Sequence, residues 1–158
     1  MSISLNFVIY QHKDGKLIEE DLKTIRCEEI SAYLLDEITS NFPTKKEKVY
    51  IDKSLDDSFD IDCFSKHDID GICEHLKEIF LHLLSFENHR LNNDEIKSSP
   101  QEGKLTELID DIIPNMNQTN ATDIAVARFR ILTGVISLFT EVNTKFYDDV
   151  GAVIKLGV

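Results

Sequence analysis

The chain has 158 residues, 42 % apolar and 29 % charged, the composition of a soluble globular domain rather than of a membrane span, a collagen-like repeat or a disordered tail. At this length roughly 70 % of the unfolded surface is buried on folding, so no metal or disulfide staple is required. Twenty-nine acids against 17 bases give a net charge of −12, which argues against a protein built to grip phosphate backbones, a task that needs surplus Lys and Arg.

Residues 5–10 are a short β-prone run, and Asp14 followed by Gly15 is a turn signal behind it. From 17 to 42, Leu17, Ile18, Leu22, Ile25, Ile30, Tyr33, Leu34 and Ile38 recur at helical spacing, which predicts one long helix or two short ones before "FPTKK" breaks the pattern. The stretch "IDKSLDDSFDID" then gathers Asp52, Asp56, Asp57, Asp60 and Asp62 around Leu55, Phe59 and Ile61. Such a charge run reads as a solvated loop, with an acidic loop docking on a basic partner as the alternative.

Ile69, Ile72, Leu76, Ile79, Phe80, Leu83 and Leu84 make an apolar stripe of 3.6-residue period, with Ser65 or Asp68 placed to cap its start. Residues 87–104 are rich in Asn, Ser, Pro and Gly and predict an exposed loop. A second stripe, Leu105, Leu108, Ile109, Ile112, Ile113 and Met116, is ended or kinked by Pro114. Thr122 is placed to cap a third helix carrying Ala125, Leu132, Val135, Ile136 and Phe139, and Phe146, Val150 and Val153 suggest a fourth. Successive amphipathic helices of this kind predict a mainly all-α fold: stacked αα-hairpins of a helical-repeat array at 51–158, behind an N-terminal segment at 1–50 that admits a short strand.

Catalytic signatures are not found in the sequence. Cys27, Cys63 and Cys73 lack C-x-x-C spacing, which suits ordinary thiols in a reducing, cytoplasmic setting. The first residues do not read as a signal peptide, no apolar run reaches membrane-spanning length, and the N-x-T triplets at Asn117 and Asn120 read as chance matches. His75, His82 and His89 are seven residues apart, about 10.5 Å along a helix and too far to share a metal; Glu78 is placed to pair with His75 or His82 on the helix surface. Phosphate-cradling glycine motifs and a nucleophile elbow are missing. The expectation is a non-enzyme with no catalytic, cofactor-binding or metal-binding residues.

Residues 60–158 carry three segments, "DIDCFSKHDIDGICEHLKEIF", "LTELIDDIIPNM" and "ARFRILTGVISLFTEVNTKFYDDVGAVIKLGV". Through them the chain resembles the PCI-domain family, in particular its subunit-m branch in eukaryotic translation initiation factor 3. Arg128 or Arg130, Leu138 and Phe139, Asn143, Phe146 and Tyr147, and Ile154 and Lys155 occupy the places of the family's last helical element. These are packing patterns; the first 50 residues do not match, 87–104 looks like an insertion, and the family's winged-helix half has no counterpart. The resemblance implies the N-terminal helical part of a non-catalytic scaffold that binds other initiation factor 3 subunits and supports association with the small ribosomal subunit, without a small-molecule substrate, a membrane or direct nucleic-acid contact. Subunits of the proteasome lid or the COP9 signalosome would share the same periodicity.

A different class competes with it. The acidic excess lies before residue 121, since 121–158 holds four acids and four bases. That distribution suits an acidic inhibitor or immunity protein that neutralises a basic nuclease.

Overall fold

The computed structural model describes residues 2–92 and 121–157. Among these residues the chain is not all-α: five strands close into a barrel in the order β1, β2, β3, β4, β5, with three α-helices outside it. This overturns the helical-repeat array expected over 51–158, because strands from both halves of the chain share one sheet.

Strands β1 (Ser2–Lys13) and β2 (Lys16–Ser31) form an antiparallel hairpin. Its turn is Asp14 and Gly15, with φ of 52° and 76°. Two left-handed residues in succession are what a tight hairpin needs to match strand twist. The ladder shifts register between Phe7 and Val8 and again between Ile9 and Gln11. Across the second irregularity Asp21 takes φ 59°, and the Tyr10 N–H donates instead to the Gly151 carbonyl at 2.8 Å. Residues 17–31 are therefore strand, not helix.

Helix α1 (Ala32–Asn41) follows directly, capped by the Ser31 hydroxyl, which accepts from the Leu34 N–H at 3.1 Å. It carries the chain across to β3 (Lys45–Tyr50), which runs parallel to β2 through Leu17↔Val49 and Ile18↔Tyr50. A parallel neighbour requires such a crossover. Of the acidic run, 51–57 form the solvated turn between β3 and β4 as expected, while 58–62 belong to β4 (Ser58–Cys63).

A single 3-10 turn (Lys66–Asp68) leads into α2 (Ile69–Asn92), which fulfils the predicted stripe and continues into the expected 87–104 loop. The remainder of that loop and the stripe at 105–116 lie outside the described residues. Helix α3 (Ala121–Lys145) covers the predicted third helix, with Thr122 inside it rather than at its cap. In place of a fourth helix the chain ends in β5 (Ala152–Leu156), antiparallel to β1 and touching β4 through the one pair Cys63↔Lys155.

The apolar residues sort into two cores. On the outer sheet face Leu5, Phe7, Ile30 and Ile154 pack with α1, α2 and α3, whose Leu34, Leu76, Leu132 and Phe139 are fully buried. Edge-to-face rings join them at centroid distances of 5.1 Å for Phe7 and Phe146 and 5.4 Å for Phe64 and Phe139. The second core draws Val8 and Tyr10 from β1, Leu17 from β2, Val49 from β3, and Ile61 and Cys63 from β4, with Val153 of β5 beside them. Side chains from all five strands meet only in a barrel interior. No described helix is long and apolar enough to cross a membrane.

Candidate functional site

Two surfaces concentrate chemistry, one at each end of the β3–β4 hairpin. The first is its tip. The register Val49↔Phe59 puts these residues on one face, and alternation adds Ile51. Val49 is fully buried inside the barrel, whereas Phe59 and Ile51 are 39 % and 50 % exposed. The interior apolar face thus runs past the barrel rim into solvent.

Asp52, Asp56 and Asp57 lie in the turn between Ile51 and Phe59, with Lys53 among them, and all are exposed. The Asp52 carboxylate accepts from the Ser54 N–H at 2.8 Å and from the Ser54 hydroxyl, which holds its pKa below the usual carboxylate value. These two bonds hold the Asp52 carboxylate in place within the turn. Asp60 and Asp62 differ: on the outer face they stand opposite Lys48 and Lys46, and Lys46 reaches Asp62 at 3.1 Å. Only part of the acidic run is left to act on a partner. The sequence signal for this split is the alternation of Phe59, Ile61 and Cys63 with Asp60 and Asp62, which is a strand period.

The second surface is a cleft of about 490 Å³ at the other end of the hairpin, along the seam where β4 and β5 share their single pair. Leu17, Phe64, Ile69, Val153 and Ile154 give it an apolar floor, while Lys45, Ser65, Lys66, His67, Tyr147 and Asp148 line it with polar groups. Cys63 belongs to the floor; burial pushes its thiol up to about 11, so it stays neutral and a poor nucleophile at pH 7. Lys66 donates to the carbonyls of Tyr147 at 3.1 Å and Phe146 at 3.4 Å, and to that of Asp149, closing the exit from α3. That burial lowers its pKa against the opposing pull of Asp149 and Asp148.

Ser65 Oγ lies 2.7 Å from His67 Nδ1, and His67 Nε2 lies 3.3 Å from Asp68 Oδ1. All three are near neighbours in the chain and the imidazole is 79 % exposed, so the chain of contacts orders the turn into α2. Ser65 leaves its capping bond unmade, and Asp68 lies within the turn, so neither caps the helix as expected.

The other polar residues singled out from the sequence are spread through the fold. His75 faces α1 rather than Glu78, with Nε2 at 3.5 Å from Glu37 and its ring against Phe42. Cys27 is exposed, and Cys63 and Cys73 are buried on different elements. Among the described residues no group of His, Cys, Asp and Glu is arranged to hold a metal ion. Inside the barrel Tyr10 Oη and Glu19 Oε2 are buried without a hydrogen-bond partner; burial first, then the nearby Glu19, push the Tyr10 phenol well above its ordinary range.

Comparison with family models, with curated proteins and with solved structures finds no match for this chain.

Proposed function

We propose that this chain is a non-catalytic binding protein that docks on a basic protein partner through the tip of its β3–β4 hairpin. The observation that carries the reading is the exposed apolar pair Ile51 and Phe59 at the two ends of a turn that carries the exposed Asp52, Asp56 and Asp57. Apolar contact area beside polar groups is the anatomy of a protein interface. An acidic turn on a chain of net charge −12 steers a basic partner and repels acidic ones. The acidic-inhibitor class fits this arrangement, since such a protein works by covering a basic surface and needs no chemistry of its own.

The initiation factor 3 scaffold implied by the resemblance relies on a helical array as its contact surface, and the barrel offers a different one. Its last family segment ends here in β5, and its first straddles β4 and α2.

The test is capture from native cell extract on the immobilised chain, beside a variant carrying Asp52→Asn, Asp56→Asn, Asp57→Asn and Phe59→Ser. The expected result is a protein of pI above about 9, retained by the wild type, lost from the variant, and associating more slowly as ionic strength rises. Retention of the same partner by both chains would refute the hairpin as the docking surface. Recovery of initiation-factor subunits with small-subunit ribosomal proteins would restore the scaffold reading instead.

A further inference from the structure

The seam cleft has a chemistry separate from the acidic tip. We propose that it binds a small, uncharged, mainly apolar molecule that presents one hydrogen-bonding end to the rim at Ser65, His67 and Tyr147.

The cleft exists because β4 and β5 part company. They meet at Cys63↔Lys155, and the Phe64 N–H still reaches the Ile154 carbonyl at 3.1 Å; beyond that the chain turns into α2 while β5 runs back toward Val150. The opening is about 490 Å³, within the roughly 300–1,000 Å³ of small-molecule sites. Its size suits a one- or two-ring molecule.

The charge state of the lining sets the ligand class. Lys45 is paired with Glu47 at 3.1 Å. Lys66 is held by three backbone carbonyls at the end of α3. The two lysines of the lining are balanced by two carboxylates, Glu47 and Asp148, so the cleft offers no surplus of either sign. Cys63 adds a neutral, polarisable thiol to a floor made by Leu17, Phe64, Ile69 and Val153. An anion or a cation would lose its water here and meet lysines and carboxylates in equal number, so neither gains a net counter-charge. An uncharged ring loses little and buries apolar area.

The test uses the full chain with ¹³C-labelled Ile and Val methyl groups, titrated with indole and, separately, with its charged analogues indole-3-acetate and tryptamine. Indole is expected to shift the methyls of Ile69, Val150, Val153 and Ile154 saturably, with a Kd of roughly 1 mM for a fragment of this size. Each charged analogue is expected to bind at least about tenfold more weakly. Val150 is 60 % exposed at the cleft, so Val150→Trp places a ring in the opening without touching the core, and is expected to abolish the indole shifts at an unchanged melting temperature. Absence of saturable shifts, equal binding of a charged analogue, or indole shifts that persist in Val150→Trp would each overturn the proposal. None of these outcomes depends on the protein partner, so this inference and the docking reading fail separately.

Discussion

Strand β5 lies between β1 and β4, and the two sides differ sharply. Against β1 it is paired from Leu5↔Leu156 to Ile9↔Ala152; against β4 it has only Cys63↔Lys155. The β1 side is also backed by helices, with Phe7 against Phe146 and Ile154 in the helix-facing core. The β4 side borders an open cleft. The barrel is thus closed in topology but uneven in strength: its cohesion lies where sheet and helices share one core, and the β3–β4 hairpin is tied to its neighbours by two pairs to β2 and one to β5.

The comparison is broken most directly by truncating the helix-facing core. Phe139→Ala and Leu132→Ala remove fully buried side chains and are each expected to cost about 2–5 kcal/mol in urea unfolding. A loss below about 0.5 kcal/mol at both would place the main core elsewhere. Next comes the junction that fixes β5 to β1. A Cβ at Gly151 would run into the Tyr10 carbonyl, whose own N–H is bonded back to Gly151. Gly151→Ala is expected to cost about 1–3 kcal/mol by the same measurement.

A pH series sharpens the account of the barrel interior. The Cys63 thiol moves from 9.0 to about 11 because burial disfavours the thiolate. As pH rises through 9 the unfolded chain loses this proton while the folded chain keeps it, so stability falls between about 9 and about 11 and is unaffected below. Tyr10, also raised by burial, acts in the same direction at higher pH. Urea midpoints at about pH 8 and about pH 10.5 are expected to differ less in Cys63→Ala than in the wild type. The smallest effect belongs to the outer face of the hairpin: Lys46 and Asp62 have side chains 70 % and 48 % exposed, and Lys46→Ala is expected to change stability by less than about 1 kcal/mol.

The parts of the fold legible in the sequence are those with one unbroken period. The stripe from Ile69 to Leu84 and the apolar series through Leu132, Val135 and Phe139 form α2 and α3, and Asp14 with Gly15 forms the hairpin turn. Strand β2 is hidden by its own irregularity. The register shifts opposite Val8 and Gln11, with Asp21 at positive φ, interrupt the strand period of two: Leu17 and Ile18 are both buried, Ile25 is exposed and Ile30 is buried again. The spacing that survives imitates a helix, and the Lys and Glu residues between are themselves good helix formers.

The candidate sites are legible in part. The acidic run is visible as charge, but its division into a paired outer face and an unpaired tip depends on which lysines β3 sets opposite it. Strand β5, "AVIKL", is a short apolar run that local sequence does not separate from a helix start. The cleft is not legible at all, because its lining comes from Leu17, Cys63, Lys66 and Tyr147, which only barrel closure brings together.

The most direct test of that closure is a nuclear Overhauser measurement between the α protons of Cys63 and Lys155 in the full chain. The account expects a strong contact at this pair, together with the β1–β5 ladder from Leu5↔Leu156 to Ile9↔Ala152. A β1–β5 ladder without any contact between Cys63 and Lys155 would contradict it, leaving an open sheet with no seam and no cleft.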